Sequence, residues 1–255
     1  SCFKFFIYIF HFKILFSIII KIIMKTLNKI IFFIFFYFST AVFAVLSLPL
    51  LIFPRKYIQI SLSIWSYTVS LLLNILFKID HIIDGEFKNK QVIFAIQHQS
   101  IWETIILANY LPKPLSIVMK RELIAIPVIG YLFRKSGAIP VNRGKHIQSI
   151  KALLKDTEKA IDEGDNIIIY PQGTRVKPGE NKSYLPGVFA LYNHLKIPVV
   201  PIALNSGKFW YKFNLSGPGT IKVSILNEIL PGLKKHEFMN TLQNLIENES
   251  EKLLK

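Results

Sequence analysis

Cysteine is almost absent from this chain. The lone Cys2 leaves no internal disulfide and no cysteine-rich metal site. Acidic residues are also scarce, 16 against 31 lysines and arginines, and the formal charge of +15 points to anionic partners. Nucleic acid, anionic lipid and an acidic carrier protein all meet that description. No stretch carries G-x-S-x-G, a Walker loop or a dinucleotide fingerprint, and no internal repeat is visible. The longest absence is of charge. From Ile30 to Phe53 there is no charged residue, with Lys25 and Lys29 before the run and Arg55 and Lys56 after it.

As a helix that run measures roughly 36 Å, enough to cross a hydrocarbon core with some tilt. A second apolar stretch, Tyr57 to Phe77, follows Pro54 and is moderated by Gln59, serines and Asn74. The two are expected as a hairpin that either crosses the membrane and returns or lies half-sunk in one leaflet. Basic residues flank the first run about equally, so the positive-inside rule does not orient it. Residues 1–23 are a low-complexity mixture of Phe, Ile and Lys ahead of the first methionine, Met24. They are expected to be translated upstream sequence or a fragment edge, with residues 24–79 as the membrane-associated helices.

From residue 80 to 255 short apolar runs alternate with amphipathic stretches. Val92–Ile96, Ser116–Met119, Ala138–Val141, Asn166–Tyr170, Val199–Leu204 and Ile221–Leu226 predict strands. Trp102–Leu111, Ile147–Glu163, Gly187–Leu195 and about Lys234–Leu254 predict helices. In the last, Phe238, Leu242, Leu245, Ile246 and Leu253 are expected along one face. The alternation predicts an α/β domain, a mostly parallel central sheet flanked by helices, behind an N-terminal membrane-associated helical region. Chemistry in such domains collects at the carboxyl ends of the strands.

Gln97-His98-Gln99-Ser100-Ile101-Trp102-Glu103-Thr104 stands at one such end. An imidazole with a carboxylate five residues on makes His98 a candidate general base and Glu103 its orienting partner. Helix-start N–H groups at Ser100 are expected to meet a developing oxyanion. Three further clusters follow strand ends. Gly137 to Arg143 delivers an arginine to a basic corner with Gly144 and Lys145, suited to phosphate. Tyr170-Pro171-Gln172-Gly173-Thr174-Arg175 forms a turn able to cradle an anion. Val199 to Leu204 is an apolar strand containing Pro201, core or tunnel wall. Lys120 closes another strand and adds positive charge. Ser100 as an esterase nucleophile lacks an elbow and has its nearest histidine only two residues away. His11, His81, His146, His194 and His236 are expected to be structural or exposed, with His81 in a polar segment ahead of the domain.

In this order the four clusters resemble the blocks of the glycerolipid acyltransferase superfamily, over roughly residues 57–230. His98 to Glu103 is similar to its H-x4-D block and Gly137 to Arg143 to its arginine block. Tyr170 to Arg175 is similar to F-P-E-G-T-R, and Val199 to Leu204 to the proline-containing fourth block. The resemblance implies acyl transfer from acyl-CoA or acyl carrier protein to the sn-2 hydroxyl of lysophosphatidic acid. It implies His98 as base, Glu103 as its partner, and Arg143 and Arg175 on the acceptor phosphate, with Gln172, Gly173 and Thr174 lining the same pocket; Lys120, by its place after a strand, is expected to add its charge there. It further implies no metal, no bound cofactor, no nucleic acid partner, and a bilayer-bound enzyme facing the cytoplasm, as at a bacterial inner membrane. Two positions depart from the pattern, Glu103 for Asp and Gln172 for Glu. They leave open another lysophospholipid or aminolipid acceptor, or an inactive lipid-binding homologue.

Overall fold

The computed structural model describes residues 2–86, 91–142 and 146–255. Helix α1 runs Cys2–Leu46. It stops ahead of Pro49, which has no N–H to donate and lies in a short 3-10 turn, Leu48–Ile52. The uncharged run predicted as one helix is thus broken near its end. Helix α2, Arg55–Phe77, comes back alongside α1: the Asn28 amide donates to the Leu76 carbonyl at 2.9 Å, and Ser47 bonds Ser61. His11–Leu46 and Arg55–Phe77 are each long and apolar enough to cross a membrane. Their outward faces remain apolar and exposed, as at Ile34, Phe38, Ile64 and Ile75.

The chain then enters the sheet through β1 (Ile79–Asp84) and β2 (Ile93–Ile96). Next come α3 (Trp102–Ile105), a 3-10 turn at Leu107–Asn109, and β3 (Leu115–Lys120). Helices α4 (Arg121–Ile124) and α5 (Ile129–Ser136) lead to β4 (Ile139–Val141). They are followed by α6 (His146–Asp162), β5 (Asn166–Ile169), α7 (Gly187–Leu195) and β6 (Val199–Leu204). Helix α8 (Ser206–Phe209), the hairpin strands β7 (Trp210–Tyr211) and β8 (Asn214–Leu215), β9 (Gly219–Ile225) and α9 (Lys235–Leu254) complete the chain. Among the described residues seven strands form one sheet, ordered β1-β9-β6-β2-β5-β3-β4. The five from β6 to β4 are mutually parallel; β9 meets β6 antiparallel and β1 lies parallel to β9.

Further expectations need correction. The helix predicted over Trp102–Leu111 is one α-turn and a 3-10 turn, because Thr104, Ile105 and Ile106 are β-branched and Ile106 and Leu107 are drawn into the core. His81 is not in a segment ahead of the domain. It belongs to β1, an edge strand that turns Ile79, His81 and Ile83 inward and Asp80, Ile82 and Asp84 outward, so that a polar inward residue and an apolar outward one hide the alternation. Its ring bonds the Tyr110 hydroxyl at 2.8 Å and meets Trp102 edge-on, and burial holds its pKa below the ordinary value.

Alternate residues of the central strands feed two cores, as a sheet buried on both faces requires. Phe94, Ile96, Ile168, Ile202 and Leu204 face α1, α2 and α3, while Ile93, Ala95, Ile167 and Ala203 face α6, α7 and α9. On α9 the buried stripe is Phe238, Leu242, Ile246 and Ser250, strictly four apart. Leu245, expected on that face, lies one position off it and is exposed. Arg55 ties the helical hairpin to the domain: it donates to Asp165 at 2.6 Å and to the Ser136 carbonyl at 2.9 Å.

Candidate active site

Because β2, β3, β4, β5 and β6 run the same way, the residues that follow them share one edge of the sheet. His98 follows β2, Lys120 closes β3, Tyr170 follows β5 and Ser206 follows β6. Arg143, with Gly144 and Lys145, lies outside the described residues.

Glu103 sits in the first turn of α3 and is fully buried. Its Oε1 accepts from His98 Nδ1 at 2.9 Å and from the N–H groups of Gln99 and Ser100 at 2.7 and 2.6 Å. Its Oε2 accepts from the Ser206 hydroxyl at 2.8 Å. A buried carboxylate is costly unless its oxygens are met, and here both are. The network assigns the proton to His98 Nδ1 and leaves the Nε2 lone pair free. The ring lines the cavity described below and is only 13% exposed. Tyr170 lies against it, ring centroids 4.4 Å apart. Burial, and then the field of Glu103, push the Tyr170 hydroxyl above its ordinary range, so that wall stays neutral.

The oxyanion role expected at Ser100 is not available there. Its N–H is committed to Glu103, its hydroxyl accepts from Trp102 N–H at 3.1 Å, and the residue is fully buried. Gln172 also departs from expectation. It does not line the cavity but is buried at 1% exposure, where its side-chain oxygen accepts from His98 N–H at 2.7 Å. Its amide nitrogen points to Glu247 on α9, 3.5 Å away. Glu247 in turn accepts from Tyr184 at 2.9 Å and from Gln97 at 3.2 Å. Burial pushes both the Glu247 and Tyr184 pKa values up. The carboxylate that the F-P-E-G-T-R pattern places on the turn therefore stands on α9, with an amide opposite.

Gly173, Thr174, Arg175 and Lys120 do line the cavity. Gly173 has φ +65°, a left-handed conformation that favours glycine, and a Cβ there would have to push aside the Leu185 side chain, 2.3 Å away. Arg175 is exposed, and Lys120 pairs with Glu122 at 3.0 Å. The cavity measures about 1020 Å³. It follows β3 from Lys120 back to Leu115 between apolar walls from α1, α2 and α5, and reaches polar Gln59, Asn109 and Lys113. Lys113 donates to Ser63 at 2.6 Å, and burial lowers its pKa. No group of three or more His, Cys, Asp or Glu is arranged to hold a metal ion among the described residues.

Sequence reading missed Ser206, Glu247 and Tyr184. Ser206 had one signal, its place directly after a strand. The other two had none, since their partners lie far away in the chain.

A family model described as Acyltransferase matches residues 78–205, half of the chain. The 1-acyl-sn-glycerol-3-phosphate acyltransferase of Pseudomonas aeruginosa is 35% identical over 137 residues, 53% of this chain and 53% of that protein. The human 1-acyl-sn-glycerol-3-phosphate acyltransferase beta is 28% identical over 135 residues, 51% of this chain and 49% of that protein. The chain thus spans about half the length of these two relatives. A crystal structure of the 1-acyl-sn-glycerophosphate (LPA) acyltransferase from Thermotoga maritima superposes with a TM-score of 0.73 at 17% identity, over 90% of this chain and 97% of that one. At that identity the likeness is one of fold.

Proposed function

The chain belongs to the acyltransferase family, and from that premise we propose that it transfers a fatty acyl group from an acyl thioester to the sn-2 hydroxyl of lysophosphatidic acid, giving phosphatidic acid. The observation that carries this reading is His98 at the cavity wall. One ring nitrogen is held by buried Glu103 and the ring faces a long apolar chamber with cations at its sheet-edge end. In the reaction His98 Nε2 takes the acceptor hydroxyl proton as that oxygen attacks the thioester carbonyl. Glu103 holds the imidazole and stabilises the imidazolium that forms. The C–S bond then breaks, and the thiolate leaves with the proton returned from His98. Arg175 and Lys120 face the acceptor phosphate, joined in this proposal by Arg143.

The chamber suits an acyl chain. Lying along β3 from Lys120 to Leu115, a chain would follow five residue steps, about 17 Å at the strand rise. The thioester, whether of CoA or an acyl carrier protein, would then sit near His98. The bilayer is the source of the acceptor, with the catalytic domain on the cytoplasmic side. Gln172 no longer argues for another headgroup or an inactive protein, since it holds the His98 turn instead of touching the cavity.

The test is a panel: purified protein, a labelled acyl thioester on CoA or carrier protein, and lysophosphatidic acid beside neutral and zwitterionic lysolipids and an aminolipid. Preferred turnover of lysophosphatidic acid is expected. Equal turnover of an uncharged lysolipid would remove the phosphate assignment, and none with any acceptor would remove the enzyme.

A further inference from the structure

We propose that the β7–β8 hairpin is a third membrane contact, separate in sequence from α1 and α2, whose Tyr211-Lys212-Phe213-Asn214 tip sits in the bilayer interface. The proposal rests on the reading of α1 as a membrane helix. The hairpin is stapled to α1 over two turns. Trp210, at its root, is buried edge-on against Phe32 and Phe36, with ring centroids 5.2 and 5.7 Å away. Phe213, at its tip, lies edge-on to Phe33 at 5.8 Å, and Asn214 accepts from Lys29 Nζ at 2.8 Å.

These partners fix the depth. Lys29 is the last charge before the uncharged run of α1, and Phe33 is one turn inside it. A lysine at that boundary reaches for the headgroups while the residues beyond it enter the apolar zone. Phe213 is 71% exposed although it is a large apolar side chain, and it continues a surface already formed by Ile30, Ile34 and Tyr37 of α1, each more than half exposed. In water such a continuous patch would be costly; at a bilayer it is a contact. The tip's composition, two aromatics around a lysine, is that of an interfacial anchor. Lys212 also lines the cavity, so a hairpin seated in the interface puts the cavity wall at the lipid surface.

The experiment uses the full chain with Cys2→Ser, which removes its lone cysteine. Single cysteines replace Phe213, Phe38 on α1, or Lys235 at the start of α9 on the opposite face of the sheet. Each is labelled with an environment-sensitive nitrobenzoxadiazole and reconstituted in phosphatidylcholine–phosphatidylglycerol vesicles with brominated acyl chains. The 213 label is expected to shift to the blue and be quenched, within about two-fold of the 38 label for an element sunk about 5–10 Å. The 235 label should do neither. Quenching at 38 but not at 213 would overturn the proposal alone. Quenching at neither would overturn the membrane reading of α1 with it. A blue shift at 213 without quenching would mean that protein, such as a second copy, covers the tip, and would also overturn it.

Discussion

His98 has one ring nitrogen committed to Glu103 and its backbone N–H committed to Gln172, so both its tautomer and its place are set by buried partners. His98→Ala is expected to lower turnover by about 10²–10⁴-fold, the usual worth of a general base, with the thermal unfolding midpoint unchanged. Turnover near the parent's would remove His98 as the base. Gln172 and Glu247 form the second residue-scale feature. Gln172→Glu would set a buried carboxylate against the half-buried Glu247 and is expected to destabilise the fold by about 1–3 kcal/mol, read as a lower denaturation midpoint. Adding Glu247→Gln to that variant restores an acid facing an amide and should recover most of the loss. A Gln172→Glu chain as stable as its parent would show that the exchange of charge does not matter.

At the scale of elements, the fold depends on how α2 and α9 grip the sheet from opposite faces. Arg55 adds an ion pair to the apolar packing of Val69, Leu73 and Phe77 of α2, and its partner Asp165 is 1% exposed, with Oδ1 meeting no hydrogen-bond donor. Arg55→Ala leaves that charge buried and unpaired and is expected to cost about 3–5 kcal/mol in denaturant unfolding. Asp165→Asn in the same chain should return a large part, because the charge is gone. If the single variant unfolds like the parent, the apolar packing of α2 alone holds it to the sheet. Helix α9 reaches the site edge through Glu247 and through Ser250, which accepts from Gln99 at 3.2 Å. The strand-following loops are thereby held by an element beyond the residues that the family model matches.

For the molecule as a whole, the described side chains of α1 turn from exposed to partly buried at Asn28. Among the described side chains those from residue 11 to 27 are exposed, and Asn28, bonded to Leu76, and Lys29, bonded to Asn214, tie the following turn to the rest of the protein. Removing residues 1–23, so that Met24 comes first, is expected to leave both the unfolding midpoint and acyl transfer unchanged. A fall in either would show that the front of α1 supports the domain. The same exposure leaves the two helices and the hairpin tip as one apolar surface in a chain of net charge +15, an arrangement suited to an anionic membrane.

The sequence by itself determined the α/β alternation, with β6 and α7 at their predicted bounds, and the meeting of His98 with Glu103. These rest on contacts within an element or across a five-residue turn, where local periodicity and chain geometry decide. It did not reveal β1, whose inward His81 and outward Ile82 mask its alternation, or the commitment of the Ser100 N–H to Glu103. Only the tertiary structure decided what Gln172, Ser206 and Glu247 do. The bonds of these residues to His98, Glu103 and Gln97 span 74, 103 and 150 residues. A contact at such separation is made by the order of strands in the sheet and by the docking of α9, and neither leaves a mark in the residues near either partner.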